Sequence, residues 1–453
     1  MASFVLVFFA FCFEVSSGLT ALGVDLGTSG VRVAVVSEEG EVLGEASRAW
    51  SDSDGRKPAT WLRALGETLK ECPFASTASR IAVSGTSSSV LAVDEDGAVS
   101  RTVRMYDEAM DDDAMRLIEK HAPLGHTTRS RTSALAKMLA YHKERPLVKE
   151  RLAHQADYVA GCLCCSSFDD LVILSDWHNA LKLGFDVETL DWPKWITDGI
   201  FEDIDADASM LLPRCLEPGA PSPKRVVSNE AATRWGLKEG AEVVGGTTDS
   251  IAAFLACSYS RDDDLKAGRA VTSLGSTTAL KLLSHTKVDD AERGVYSHRL
   301  DDKWLVGGAS NVGCKILRRF NFDDDELERL STDDLFDHYD TDPFGVAYPL
   351  CDTGERFPTN DPHLEPKLPP DDGDRRLLLR RLLVGIANVE ASGYKALADL
   401  GATPLEAVST AGGGAKNLVW RRFRSHLMND VPVVGATHTD AAFGAAVLAL
   451  RDK

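Results

Sequence analysis

Basic charge is what this sequence lacks most clearly. Its 453 residues carry 50 Lys and Arg against 69 Asp and Glu, a net charge of −19. A nucleic-acid partner wants a basic face for its phosphates, so the balance argues against one. Long apolar runs are missing too. No stretch of about 20 apolar residues lies in the body of the chain, so no membrane partner is expected there. Cysteine pairing is also absent: the nine cysteines are odd in number and scattered. That reads as reduced thiols in an intracellular protein. "CLCC" at Cys162 has no second Cys or His pair at ligand spacing, so buried thiols are expected and not zinc. The acidic residues gather in runs (Asp111 to Asp113, Asp262 to Asp264, Asp323 to Asp325, and "DDGD" at Asp371) that read as solvated loops.

The N-terminus lacks something as well. "FVLVFFAFCF", Phe4 to Phe13, has the length of a signal-peptide core, but no Lys or Arg precedes Arg32. Two readings stand for residues 1–18: a targeting segment, such as part of a plastid signal, or a short buried extension. The expected location is the cytosol or the plastid stroma.

The pattern of what is present begins with "ALGVDLG" and "VRVAVV", two apolar strands, and a third after the turn at Glu39-Gly40. "ATWLRALGETLKEC" has helical period, and "RIAVSG" is again a strand. The order β-β-β-α-β is that of a ribonuclease-H-like domain. The pattern restarts in the second half. "AVTSLGSTTALKLL" is strand, glycine turn, strand. Leu378, Leu379, Leu382, Leu383, Ile386 and Val389 make one apolar stripe on a helix that ends at Gly401. "AVSTAGGGAKNLVW" is a strand, three glycines and a helix. The chain therefore reads as α/β, a duplicated fold with a cleft between two domains. The boundaries are 19–257 and 258–453.

The turns carry the chemistry. In "DLGTSG", Gly27 and Gly30 let the backbone approach a ligand closely. The N–H groups of Gly27, Thr28 and Ser29 can form an anion-binding concavity. Asp25, at the strand end, could hold a hydrated Mg²⁺ beside phosphates. "SLGST", with Gly275, Ser276 and Thr277, repeats this in the second half, and "AGGGAKN" offers a flat glycine surface for a purine. Asp249 follows "GGTT" and opens an apolar helix. A carboxylate there is a simple N-cap, or a base that takes a proton from a substrate hydroxyl in phosphoryl transfer.

These segments, "GVDLGTSGVRVAVV", "GGTTDSIAAFLA", "SLGSTTALKLL" and "AGGGAKNLVW", resemble the phosphate, catalytic and adenosine motifs of the FGGY carbohydrate kinases. The similarity runs from about Leu19 to the C-terminus. It is closest to the short D-ribulose kinases, a group that includes plant xylulose-kinase-like proteins. The resemblance implies two actin-like ATPase domains closing on ATP, Mg²⁺ and a small ketopentose. It implies Asp249 as catalytic base, with Asp25 and Asp249 near metal and substrate. It further implies Gly27, Thr28, Ser29, Gly275, Ser276, Thr277, Gly308, Gly413, Gly414, Asn417 and Trp420 at the nucleotide, and Ser87 and Asp107 at the sugar.

Two positions depart from the larger relatives. "MYDEA" places Ala109 where an arginine follows the acid, and Ala140 stands near an expected Trp. Both departures favour D-ribulose. D-xylulose or another polyol is the alternative, and an actin-like ATP-binding module without sugar chemistry is the third. Lys137 is expected to be structural. Asp176 and Asn179 either cap a helix or line the sugar cleft.

Overall fold

In this computed structural model, residues 18–260 and 265–451 are described. The expected targeting segment, save residue 18, and the acidic run at 262–264 lie outside them. The first sheet opens with β1 (Thr20–Leu26), β2 (Gly30–Ser37) and β3 (Val42–Ala49), paired antiparallel. β4 (Arg80–Gly85) then returns parallel to β1. β5 (Val90–Val93) and β6 (Arg151–His154) form a separate hairpin-like pair, and β7 (Leu174–Asp176) and β8 (Arg214–Leu216) a parallel one. β9 (Glu242–Val243) and β10 (Thr247–Thr248) rejoin β4.

The second sheet repeats the plan. β11 (Arg269–Leu274) and β12 (Thr278–Ser284) make the hairpin, and β13 (Tyr296–Leu300) and β14 (Lys303–Ser310) extend it. β15 (Ala407–Ala411) and β16 (Val433–Gly435) add in parallel. The strand orders β3-β2-β1-β4-β10 and β14-β12-β11-β15-β16 are the same path, with β13 as an added edge. β1 is buried along its whole length, as a central strand covered on both faces must be.

The helix Pro58–Glu71 covers one face of the first sheet, with Trp61, Leu65 and Leu69 against Leu22, Val24 and Val33. The helices Asp249–Ser258 and Ala441–Leu450 cover the other. The last helix thus lies on the first sheet, although the sequence boundary assigns it to the second domain. Its small residues permit this. A Cβ on Gly23 would meet Ala442 O at 1.8 Å, and one on Gly444 would meet Ala252 O at 1.8 Å. The helix Arg375–Asp399 packs Leu378, Leu382 and Ile386 beneath the second sheet. Among the described residues, no helix is long and apolar enough to cross a membrane.

Candidate active site

The site assembles where the two hairpins face the start of the helix Asp249–Ser258. Asp25 lies near the end of β1 and is 2% exposed. Ser84 donates its hydroxyl to Asp25 Oδ1 at 2.8 Å, and Arg32 Nη1 reaches Oδ2 at 3.3 Å. Burial pushes the Asp25 carboxyl up to about 6 against the lowering bond from Ser84, and the charge of nearby Asp249 raises it further. Asp249 is the first residue of its helix after Thr248. Asp249 is half-buried, and the surrounding protein encloses its carboxyl. That enclosure raises it, opposed by its bond from Ser250 N at 2.6 Å and by the charges of Lys281 and Lys182.

Two carboxylates whose charges oppose each other are a fit for a divalent cation that keeps several waters and phosphate oxygens. Among the described residues, no group of three or more ligating side chains gathers.

Both hairpin turns present backbone outward. Gly27 N bonds Gly30 O at 2.9 Å, and Trp50 Nε1 holds the Thr28 carbonyl at 2.9 Å from behind, leaving Thr28 and Ser29 exposed. In the second turn, Gly275 N bonds Thr277 O at 3.1 Å, and Cys314 N bonds Gly275 O at 2.8 Å. Gly275, Ser276 and Thr277 are all exposed. A Cβ on Gly275 would meet only Thr277 O, at 3.8 Å, and one on Gly413 would meet nothing within 4 Å.

Other expected nucleotide residues are committed elsewhere. Trp420 is 1% exposed and donates Nε1 to Leu383 O at 3.0 Å, so its ring belongs to the core of the second domain and not to an adenosine pocket. Asn417 caps the helix Leu418–Leu427 by accepting from Trp420 N at 2.9 Å, and its amide donates to Ser331 Oγ. A Cβ on Gly308 would lie 2.5 Å from the Phe357 ring, and one on Gly414 would lie 2.9 Å from both Leu274 and Trp420. Those two glycines are explained by packing.

On the sugar side, Ser87 is half-buried and Ser88 takes φ +69° with a buried hydroxyl that has no partner among the described residues. Lys137 holds this turn: its buried ammonium donates to the carbonyls of Ser88 and Thr132, each at 2.9 Å, and burial lowers it to about 8. Asp107 is exposed and lies 3.6 Å from Arg56. Asp176 is a cap, accepting from His178 N and Asn179 N. Asn179 in turn donates to Thr247 O at 3.1 Å, two residues before Asp249.

Residues 270–452 match the C-terminal domain of the FGGY family of carbohydrate kinases. The second half of the chain thus carries a C-terminal domain of the FGGY family of carbohydrate kinases. A Bacillus subtilis xylulose kinase is 24% identical over 94% of this chain and 87% of its own length, and a Bacillus subtilis gluconokinase is 22% identical over 95% and 86%. Among solved structures, the xylulose kinase of Bifidobacterium adolescentis superposes with a TM-score of 0.76 at 19% identity, over 96% of this chain and 93% of the other. Plasmodium falciparum glycerol kinase with ADP gives 0.75 at 16%, over 96% and 91%. The fold is the two-domain actin-like ATPase fold, and the chain is an ATP-dependent sugar kinase, a phosphotransferase with an alcohol group as acceptor. This displaces the reading of an ATP-binding module without sugar chemistry.

Within this FGGY kinase, four side chains near the carboxylates escaped the sequence reading. Arg32 stands between Asp25 and Asp440, 3.6 Å from the latter. Lys281, on β12, is lowered to about 8 by burial, and its ammonium donates to the Ser250 carbonyl. Lys182 has no hydrogen-bond or ion-pair partner among the described residues, and its charge acts on Asp249. His178 bonds both Thr247 Oγ1 (2.8 Å) and the Arg299 carbonyl (2.7 Å), tying the two domains. A carbonyl only accepts, so Nε2 carries the proton there. The available signal was a charge inside an apolar strand, as in "VRVAVV" and "ALKLL".

Proposed function

We propose that this kinase phosphorylates a ketopentose, D-ribulose at its 5-hydroxyl, with Asp249 as general base. The observation that carries the base assignment is the position of Asp249: first residue of a helix, half-buried, within reach of the charge of Asp25 and of the charges of Lys281 and Lys182. The hydroxyl oxygen attacks the γ-phosphorus, the bond to the ADP oxygen breaks, and the hydroxyl proton passes to a carboxylate oxygen of Asp249. The two lysine charges favour the ionised carboxylate that this step requires. Thr28, Ser29, Ser276 and Thr277 supply exposed donors for the phosphates, and Gly27 and Gly275 let the backbone approach them closely. Gly413 gives open backbone on the adenosine side. Asp25 and Asp249 would hold Mg²⁺, which would neutralise phosphate charge there.

The substrate choice rests on Ala109 and Ala140 and on the motif similarity. Without the arginine, hydroxyl and backbone contacts around Ser87 and Asp107 select the sugar. D-xylulose is the second reading, supported by the relatives that carry that name. Sugar-dependent ADP release tests the assignment. Wild-type protein should release ADP with D-ribulose, and Asp249→Asn should fold, bind ATP and lose about two to four orders of magnitude in rate. Near-normal turnover in Asp249→Asn removes Asp249 from the mechanism.

A further inference from the structure

Away from the cleft, the first domain carries a cavity of about 960 Å³, within the size range of small-molecule sites. Arg151, Lys194, Arg214 and Lys224 line it. None of the four has an ion-pair partner among the described residues. Elsewhere on this acidic surface Arg48, Arg104, Arg131 and Arg375 each sit on a carboxylate. The two carboxylates in the lining are engaged locally: Asp191 accepts from Trp192 N at 2.8 Å, and Asp198 accepts from Thr197 Oγ1 at 2.7 Å. Behind the wall, fully buried Arg225, its charge offset by Asp157 and Asp176, donates to the carbonyl of Leu174, itself a lining residue.

Part of the lining is apolar. Phe185 and Trp192 pack edge to face with ring centroids 5.2 Å apart, and Leu212 extends that surface. Four like charges gathered without partners repel one another, and an anion among them relieves that repulsion. Guanidinium groups match phosphate oxygens in pairs, and lysines add point charges. A neighbouring aromatic surface suits a flat organic body. We infer that this cavity is a second ligand site, which takes an organic phosphate with its phosphate on the Arg and Lys side chains and its body against Phe185 and Trp192. The site abuts the active-site support: Leu174 begins β7, whose Asp176 caps the turn that holds Thr247.

Pyridoxal 5′-phosphate is the probe, because it joins a phosphate, a flat ring and an aldehyde. The aldehyde carbon condenses with a lysine ε-amine and releases water, and borohydride then adds hydride to the imine to leave a stable secondary amine. The full-length kinase is labelled at low probe concentration with a non-hydrolysable ATP analogue and sugar present, and the labelled peptides are mapped. Labelling should fall first on Lys194 or Lys224, and Arg151→Gln combined with Arg214→Gln should reduce it about tenfold while kinase turnover stays unchanged. Adenosine monophosphate and a pentulose 5-phosphate, added separately, distinguish the sources: protection by either supports the site and names its ligand type. Labelling spread equally over exposed Lys70 and Lys367, labelling insensitive to the double variant, or protection by neither phosphate overturns the proposal.

Discussion

Lys281, on the second sheet, donates its ammonium to the carbonyl of Ser250, the residue that follows Asp249 in the first domain. The contact crosses between the domains and places a positive charge beside the proposed base. Burial raises Asp249, and Lys281 lowers it in part. A base works only when ionised, and burial raises Asp249, so the kcat/KM of the wild type should fall with decreasing pH at a pH above the ordinary carboxylate value of about 4. Lys281→Met removes a lowering influence, so that acid limb should move to higher pH. Lys281→Arg should leave it near its wild-type position. A limb unmoved in Lys281→Met would separate this lysine from the base.

Asp25 carries a stability cost that function imposes. Its folded-state value is about 6, above its ordinary value of 3.8, so the folded protein binds this proton more tightly than the unfolded chain. Its contribution is then complete at low pH and is lost as pH rises through about 6. Asp25→Asn should therefore raise the ligand-free Tm at pH 7, by a free energy of up to about 3 kcal/mol, with no gain near pH 4. The same variant should lose most kinase activity. Calorimetry at the two pH values checks the sign. A lower Tm at pH 7 would mean that the bonds from Ser84 and Arg32 outweigh burial.

The two glycine turns separate ligand contact from packing. A side chain on Gly275 has open space, whereas one on Gly414 meets Leu274 and Trp420. Gly275→Val should keep the wild-type Tm and weaken ATP use, seen as a raised KM or lowered kcat. Gly414→Val should lower the Tm, by about 1–3 kcal/mol in stability. Unchanged ATP kinetics in Gly275→Val would leave the second turn a purely structural feature.

The close contact of the C-terminal helix predicts a sharper effect. The Cβ position on Gly444 falls on the Ala252 carbonyl, a backbone atom with no rotamer to yield. Gly444→Val should destabilise the protein by about 3 kcal/mol or more, measured by urea unfolding. A shift below about 1 kcal/mol would show that the helix is free to slide on the first sheet.

Much of the fold was legible because its signals are local. The hairpins around Gly27 and Gly275 are short apolar strands joined by glycine and hydroxyl residues, and their periodicity needs no distant partner. The helix around Leu382 was equally plain. The docking of the last helix on β1 was not, because it depends on Gly23 admitting Ala442 and Ala446, residues 419 and 423 positions further on. The site divides in the same way. Asp249 is marked by its own neighbours. Trp420 and Asn417 carry motif residues whose side chains the tertiary structure spends on the core and a helix cap. Lys281 and Lys182 gain their meaning only when the two domains face each other, which no spacing along the chain records.

A ketose and polyol panel, run with equal ATP and Mg²⁺ and ranked by kcat/KM, tests the central claim most directly. The account predicts D-ribulose at the head of the ranking, with a KM on the order of a millimolar and weak activity on D-xylulose. If D-xylulose, L-ribulose or glycerol exceeds D-ribulose by more than about tenfold, a ΔΔG‡ of about 1.4 kcal/mol, the substrate assignment is contradicted.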